Sequence, residues 1–447
     1  METLERRCEM YAAWHQFELL LQTGEWRFFL IYFIAVNIVM WWRIIGGARY
    51  RRLVREGKIQ NYPDEVYEVS AIVPVYREDP RDLERCFSTL ETALKLGTKK
   101  WEILVVLDGV EPPAGPDVPH EPSPEEEVVR RYATRYWRGN FRNKRKNLRH
   151  MVREAQGEIL LLVDSDTDCD EDTVFKLCRP FADPKMGGTT TGQDIFEPTS
   201  LMQHQSKWME GARRKSSMAY MSRKECVGCL PGRMIALRKK AIEEHMDALV
   251  NETFLGRPCI SGDDRFLTNV LLRNGWGSIL VDDAEVRTLA PPGFWQTTRM
   301  WTRWGRSSQR YTIQSPWLFR YPRTAFVYWS DILMAPATTY LILWHWPYSV
   351  WTGAMDFGVA LWQLAIYTVL SMFLLMGARQ YPYLKEHPED IRRLPVLVLV
   401  ATWLQFVRTY ALITLYKVNV WGTRAGADSR LETSRIHFDS DPGMHKA

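Results

Sequence analysis

The chain has 447 residues, of which 46% are hydrophobic and 25% charged, and this composition excludes a disordered, collagen-like or nucleic-acid-tail protein. A net charge of +5 with a pI near 8.7 is compatible with anionic substrates or an anionic lipid surface and is too weak to indicate nucleic acid. A mean hydropathy of -0.28 excludes a chain that lies mostly in a bilayer, and an odd number of cysteines, seven, favours a reducing compartment.

The first long apolar segment covers residues 28–45 and predicts a transmembrane helix that follows an N-terminal amphipathic segment, residues 1–27. Basic residues concentrate directly after it: Arg43, Arg49, Arg51, Arg52, Arg55 and Lys58. Because positive charge marks the cytoplasmic flank of a span, we expect the next domain to face the cytoplasm at the plasma membrane.

Residues 60–292 alternate apolar β-rich runs with helical patterns. Strands are predicted at 69–76, 101–108 and 157–166, with helical stretches at 80–95 and 141–155. Near-continuous apolar strands predict an α/β domain with a mostly parallel sheet and helices on both faces. Ligands bind beyond the carboxyl ends of such strands, where this chain carries acidic residues.

Asp164 and Asp166 follow the third predicted strand. Two carboxylates one residue apart can share a hard divalent cation that also binds a nucleotide's diphosphate. The alternative is a helix cap, because further acids crowd the same turn and acids favour helix N-termini.

Asp263 and Asp264 begin a helical run. One of them would cap the helix, and the other could serve as a general base that takes a proton from a sugar hydroxyl. Its pKa would be raised by the acidic neighbour.

The segment 299–310 carries four arginines at helical spacing, beside Trp301 and Trp304: Arg299, Arg303, Arg306 and Arg310. We expect residues 293–322 to form amphipathic helices on anionic lipid. One arginine could still grip a diphosphate, and one tryptophan could stack on a sugar ring.

Later apolar stretches predict two transmembrane helices within 323–376. The segment 394–420 could be interfacial, re-entrant or a full membrane crossing. Arg408 divides its apolar run, and a buried arginine is costly in a membrane.

Several short motifs occur in an order that resembles the processive family 2 glycosyltransferases, most closely their hyaluronan synthase-like branch. They are IVPVYRE (72–78), LDG (107–109), KRKN (144–147), VDSDT (163–167), VGCLPGR (227–233), SGDDRFLTN (261–269), TRW (302–304) and WGTR (421–424).

This resemblance implies a GT-A domain on the cytoplasmic face, resting on a channel-forming membrane region. The donor nucleotide would be bound by Tyr76, Glu78, Asp108, Lys144, Arg145, Asp164, Arg303, Trp421 and Arg424. Asp166 with Asp164 would hold Mg²⁺ or Mn²⁺, and Asp264, beside Asp263, would be the base. Cys229, Gly232 and Trp304 would bind the acceptor, while a gating loop with Trp421 would close from the cytoplasm.

One position departs from the family pattern, which has Gln or Arg three residues before the Arg-Trp pair. Met300 stands there in this chain, and Arg299 or Gln296 could substitute for the missing contact.

These observations predict a membrane-embedded, inverting, processive glycosyltransferase. Its donors would be UDP-glucose with UDP-glucuronate, or UDP-N-acetylglucosamine, and its other partners the growing polysaccharide and membrane lipid, without nucleic acid. Two alternatives stay open: a non-processive enzyme acting on a lipid acceptor, and an inactive subunit that only conducts a polymer.

Overall fold

The computed structural model describes residues 24–109, 121–139, 143–370, 378–417 and 445–446. The predicted N-terminal segment therefore lies almost wholly outside the described residues, as do Trp421 and Arg424 of the predicted gating loop.

A mixed sheet forms the centre of the molecule. Its described strands are β1 Glu68–Val75, β2 Lys100–Asp108, β3 Arg135–Gly139, β4 Ile159–Val163, β5 Thr167–Cys169, β6 Met186–Ile195, β7 Met234–Arg238, β10 Gly277–Thr288 and β11 His445–Lys446, while β8 Thr253–Phe254 and β9 Arg257–Pro258 make a separate hairpin. The strand order is β11-β3-β2-β1-β4-β7-β6-β10-β5. β1 pairs in parallel with β2 and β4, whereas β7 is antiparallel to both its neighbours.

The predicted strands and helices of this domain are confirmed, as is the α/β fold class. The sheet is mixed rather than mostly parallel, because β5, β7 and β11 pair antiparallel with their neighbours. The sheet is buried on both faces: Ala71 and Val73 belong to one apolar cluster, and Ile72 between them belongs to the other. This alternation follows from the twofold side-chain period of a strand.

Helices cover the sheet and continue into an apolar bundle. In chain order they are α1 Gly24–Arg55, α2 Pro80–Gly97, α3 Pro124–Tyr132, α4 Lys144–Glu154, α5 Thr173–Cys178, α6 Leu201–Arg213, α7 Ala219–Ser222, α8 Met246–Val250, α9 Asp263–Arg273, α10 Phe294–Ile313, α11 Pro322–Tyr340, α12 Trp346–Trp351, α13 Phe357–Leu370, α14 Ala378–Glu386 and α15 Leu394–Ile413. Two π-helical segments, Arg214–Met218 and Leu341–His345, join neighbouring helices.

Among the described residues, three helical stretches are long and apolar enough to cross a membrane: Ile31–Arg55, Pro322–Trp351 and Pro388–Ile413. The second helix expected within 323–376 is present as α13, a shorter apolar helix of 14 residues whose sequel, 371–377, lies outside the described residues.

Arg408 interrupts the apolar run of the last segment but does not interrupt its helix. α15 is one continuous helix of 20 residues, because arginine is a good helix former and α15 packs along α10 and α11. The backbone carbonyl of Arg408 also accepts a hydrogen bond from Gln309 Nε2 at 3.0 Å.

The basic stripe of α10 is only partly exposed. Arg310 is 1% exposed, and Arg306 Nε donates to Thr414 Oγ1 at 3.0 Å. Of the four arginines Arg299 is exposed, whereas Arg303 and Arg306 are half-buried. Part of the stripe therefore makes contacts within the protein, and the contact of residues 293–322 with lipid stays a prediction.

Candidate active site

A lysine joins acidic groups from two distant parts of the chain. Lys144 Nζ lies 2.6 Å from Asp164 Oδ1 and 3.4 Å from Asp263 Oδ2. Asp164 follows β4, Lys144 begins α4 and Asp263 begins α9. The fold thus brings the two acidic motifs together at the carboxyl edge of the parallel strands.

The local sequence explains how these ends are shaped. The Asn143 side chain caps α4 by accepting from Arg145 N, which points the first turn of that helix at the cluster. Gly262, just before Asp263, has a left-handed φ of +88°, and Ser307 Oγ with the Tyr311 ring fills the space that a side chain would need. Glycine is required there because another residue would be both strained and crowded.

The two neighbouring aspartates are electrostatically different. Burial disfavours the charge on Asp263, but Lys144 and Arg145 outweigh it and lower the pKa of Asp263. Burial, followed by the Asp263 charge, raises the pKa of Asp264. Burial also opposes the Lys144 ammonium, yet Asp164 and Asp263 raise the pKa of Lys144 overall. Asp264 is therefore the member of the pair suited to take up a proton.

The loop 227–233 lies against Asp264. The Cys229 thiol donates to Asp264 Oδ2 at 3.6 Å, and a Cβ on Gly232 would lie 3.7 Å from Asp264 Cβ. Asp164 N donates to Arg233 O at 2.9 Å, so this loop also contacts the end of β4.

Trp304 on α10 reaches the same loop. The Arg233 guanidinium carbon lies 5.9 Å from the centre of the Trp304 ring. Arg303, its neighbour, is half-buried. The structure thus brings Cys229 and Gly232 to Asp264, and Trp304 to Arg233 at the end of the same loop.

Tyr76, Glu78 and Asp108 lie at the ends of β1 and β2. The Tyr76 ring packs on Gly109, Ser165 Oγ donates to Glu78 at 2.6 Å, and Asp108 accepts from Asn143 N at 3.2 Å. These contacts connect all three residues to the turns that carry Asp164 and Lys144.

A family profile described as "Glycosyltransferase like family 2" matches residues 66–307, more than half of the chain. The chain belongs to glycosyltransferase family 2. The match covers every described strand of the sheet except β11, together with both acidic motifs and the Arg303–Trp304 pair.

Curated relatives agree with this family. An N-acetylglucosaminyltransferase of Azorhizobium caulinodans is 34% identical over 182 residues, which are 38% of this chain and 44% of that protein. A type 2 glycosyltransferase of Zymoseptoria tritici is 26% identical over 326 residues, 66% of this chain and 64% of the relative. The chain spans about half the length of the curated relatives it matches.

A solved mannosyltransferase from Pyrobaculum calidifontis, in complex with GDP-Man and Mn²⁺, is similar to this glycosyltransferase in fold. The TM-score is 0.50 at 16% identity, over 83% of this chain and 99% of that one. The likeness agrees with a GT-A fold.

Asp164 and Asp166 offer this glycosyltransferase a hard-oxygen site for a divalent cation. Asp166 is half-buried in the turn between β4 and β5, two residues after Asp164. No set of three His, Cys, Asp or Glu side chains that could hold a metal occurs in the described part of the chain. Magnesium typically uses one or two carboxylates and takes its remaining ligands from substrate phosphates and water, so the donor set fits.

The prediction that Arg145 lies at the donor diphosphate is wrong. Its side chain is 0% exposed, and its guanidinium donates to Glu252 Oε2 and Ser261 O, each at 2.8 Å. Lys144 and Arg145 point in different directions because adjacent helical residues are about 100° apart.

Met300 also has a different environment from the one its motif position suggested. It is 7% exposed and packs with Met202, Val400, Leu404 and Val407 between α6, α10 and α15. The side chain is therefore an apolar contact between helices.

Sequence reasoning missed two residues that touch this region. Glu252 pairs with Arg145 at 2.8 Å, and Glu210 lies 3.3 Å from Arg233. Both are single acids outside any motif, so no spacing signal in the sequence could have found them.

Proposed function

We propose that this family 2 enzyme is a membrane-integrated, inverting, processive glycosyltransferase that polymerises UDP-sugars into a β-linked polysaccharide and passes it across the membrane. The observation that carries the proposal is the joining of Asp164 and Asp263 through Lys144, with Asp264, Cys229 and Gly232 alongside. Such a cluster can bind a diphosphate on one side and a sugar hydroxyl on the other.

The donor nucleotide would be bound at the strand ends by Tyr76, Glu78, Asp108 and Lys144. Arg303 would neutralise diphosphate charge, and Trp421 and Arg424, outside the described residues, would close over the nucleotide. Asp164 and Asp166 would hold Mg²⁺ or Mn²⁺, which when bound supplies positive charge to the departing UDP.

Asp264 would be the general base. Its raised pKa brings it closer to the operating pH, and it lies beside the loop that would carry the acceptor. Asp263, kept ionised by Lys144, would hold that lysine and sustain the raised pKa of Asp264. A single in-line displacement then inverts the anomeric centre.

Acceptor retention would depend on Trp304 and on the membrane helices. Trp304 would stack on the terminal sugar beside Gly232 and Cys229. The Arg265 guanidinium carbon lies 3.7 Å from the centre of the Tyr328 ring on α11, so the helix that carries Asp264 abuts a candidate span. A polymer leaving Asp264 in this direction would enter the helical bundle.

The donor choice rests on resemblance. Several curated relatives are named N-acetylglucosaminyltransferases, which supports UDP-N-acetylglucosamine. The motifs at 227–233 and 263–269 also resemble those of the type 3 pneumococcal capsular polysaccharide synthase, which supports UDP-glucose with UDP-glucuronate. We place the 60–292 domain in the cytoplasm and the enzyme in the plasma membrane.

The test is UDP release by the purified full chain, screened over single and paired UDP-sugars with Mn²⁺ or Mg²⁺. We expect release with one donor or pair, loss of release with EDTA, and a polymer ladder on a gel. Asp264→Asn should abolish release and leave UDP binding, measured by calorimetry, within about threefold, because the base contacts the acceptor.

An exposed glutamate outside these motifs serves as the control, with Glu244→Gln expected to match the wild type. Products of a single added sugar would favour the lipid-acceptor alternative, and no release with any donor would support the inactive subunit. Full activity of Asp264→Asn would remove Asp264 from its role.

A further inference from the structure

A buried charge network lies directly behind the acidic pair. The Glu252 carboxylate accepts from Arg145 Nη1 at 2.8 Å and from the Tyr311 hydroxyl at 2.5 Å, and it lies 3.5 Å from Arg310 Nη2. Both arginines and the tyrosine are buried, with exposures of 0%, 1% and 4%. One carboxylate therefore bridges two desolvated guanidinium groups and compensates their positive charge.

The network joins the elements that carry the site residues. Arg145 follows Lys144 on α4, while Arg310 and Tyr311 lie on α10, seven residues after Arg303 and Trp304 respectively. A spacing of seven is two helical turns, so these pairs share one side of α10. Because Arg310 and Trp304 lie on the same helix, a shift of α10 relative to Arg145 would also move Trp304.

The loop 251–262 is held at both of its ends by the same arginines. Glu252 starts the loop, and Ser261 O near its end accepts from Arg145 Nη2 at 2.8 Å and from Arg310 Nη2 at 3.4 Å. Between them, Cys259 N donates to Glu252 O at 2.9 Å and Leu255 adopts a left-handed φ of +49°. Leu255 and Gly256, both with positive φ, form the two-residue turn of the β8–β9 hairpin at the exposed tip of this loop.

Charges alternate from this network into the active site. Arg310 and Arg145 flank Glu252, Arg145 acts electrostatically on Asp263, and Asp263 pairs with Lys144, which pairs with Asp164. With Glu252 neutral, two buried positive charges would face each other, and the Arg145 charge would act on Asp263 without compensation.

We infer that Glu252 is a positioning residue that fixes the acceptor-binding helix α10 against Asp263 and Asp264 and balances the charge behind them. The inference rests on the proposed function only for its kinetic test. Glu252 touches no substrate in this role; it acts through Arg145 and Arg310.

The decisive comparison is between Glu252→Gln and the double variant Glu252→Gln/Arg310→Gln. The single variant should lower kcat by about 100-fold, the scale expected for a misplacement near 1 Å, with UDP affinity within about threefold. The groups that face Asp264 include Asp263, Lys144, Cys229 and Arg213. Uncompensated positive charge should lower the Asp264 pKa, which moves the acid limb of the rate profile to lower pH.

The double variant removes one positive charge together with the negative one. It should therefore regain at least tenfold of the lost kcat and return the acid limb toward its wild-type position. A purely structural role predicts the opposite, since removing a second buried partner would make the enzyme less active. Glu244→Gln, which neutralises an exposed glutamate of the same domain, should match the wild type in both readouts.

Thermal unfolding in detergent supplies a readout that does not need turnover. Glu252→Gln should lower Tm, and Arg310→Gln should lower it less. The Tm of the double variant should be higher than the two single losses added together would give. Additive losses, or an active single variant with an unchanged pH profile, would overturn the inference. Absence of UDP release by the wild type would count against the proposed function. The Tm values of the single and double variants would then decide the role of Glu252.

Discussion

Asp263 and Asp264 are adjacent in sequence, yet their surroundings separate their proton affinities. Lys144 lies 3.4 Å from Asp263 Oδ2, whereas Asp264 faces the Cys229 thiol. A carboxylate beside an ammonium ion stays charged, and a buried carboxylate beside another carboxylate is harder to ionise. Neighbours in the chain therefore have different chemical roles, because helix α9 turns them toward different partners.

The pH dependence of turnover tests this separation. Because a general base must be ionised, activity should fall as the pH decreases through the raised pKa of Asp264. Asp263→Asn removes the adjacent negative charge, so the acid limb of kcat/KM should move to lower pH. The measurement is a pH–rate profile, and an acid limb that stays at its wild-type position would contradict this separation.

Elements meet at the active site through helix α10. Its first half packs on α6 and α15 through Met300 and Trp301, and its second half carries Arg310 and Tyr311 into the network behind Asp263. The four arginines predicted to form one basic stripe accordingly have different surroundings: Arg306 contacts Thr414 after α15, Arg310 belongs to the charge network, and Arg299 is exposed.

Substitution at Met300 tests the packing. Met300→Gln places an amide in an apolar cluster, and we expect it to lower the free energy of unfolding by about 1–3 kcal/mol and to reduce activity. Met300→Leu, which keeps the volume and polarity, should cost less than about 1.5 kcal/mol. Thermal unfolding in detergent with a UDP-release assay compares them, and a gain of activity in Met300→Gln would reinstate a nucleotide-contacting role.

Across the whole molecule, a charged pair connects two candidate spans. Arg43 on α1 is 4% exposed and donates to Asp331 on α11 at 2.7 Å and to Val327 O at 2.6 Å. Ionisable groups within membrane helices are costly unless they are paired. The pair therefore favours one arrangement of α1 against α11.

Breaking this pair should destabilise the bundle. Arg43→Met removes the guanidinium that pairs with the Asp331 carboxylate and should cost about 3–5 kcal/mol, whereas Arg43→Met/Asp331→Leu should recover most of that loss. Tm values in detergent measure both, and Arg52→Met, an exposed arginine on the same helix, is the control. If the double variant proved as unstable as Arg43→Met, the pair would not stabilise this contact.

Much of the architecture follows from local pattern. Apolar runs and the polar residues that flank them predicted strands β1, β2 and β4, helices α2 and α4 and the first membrane-length helix. This is possible because the period and length of an apolar run are properties of a short stretch of chain. The order of the short motifs likewise indicated the family.

The contacts within the site required the tertiary structure. The sequence contains Arg145, Glu252, Met300 and Arg310, but neither their spacing nor their type shows that one glutamate lies between two buried arginines or that Met300 packs on α15. The environment of a side chain is set by segments about a hundred residues away, which reach it only when the sheet and helices assemble. Residue chemistry and local periodicity could thus be predicted from the sequence, whereas burial, pairing and which of the two aspartates has the raised pKa were decided by long-range packing.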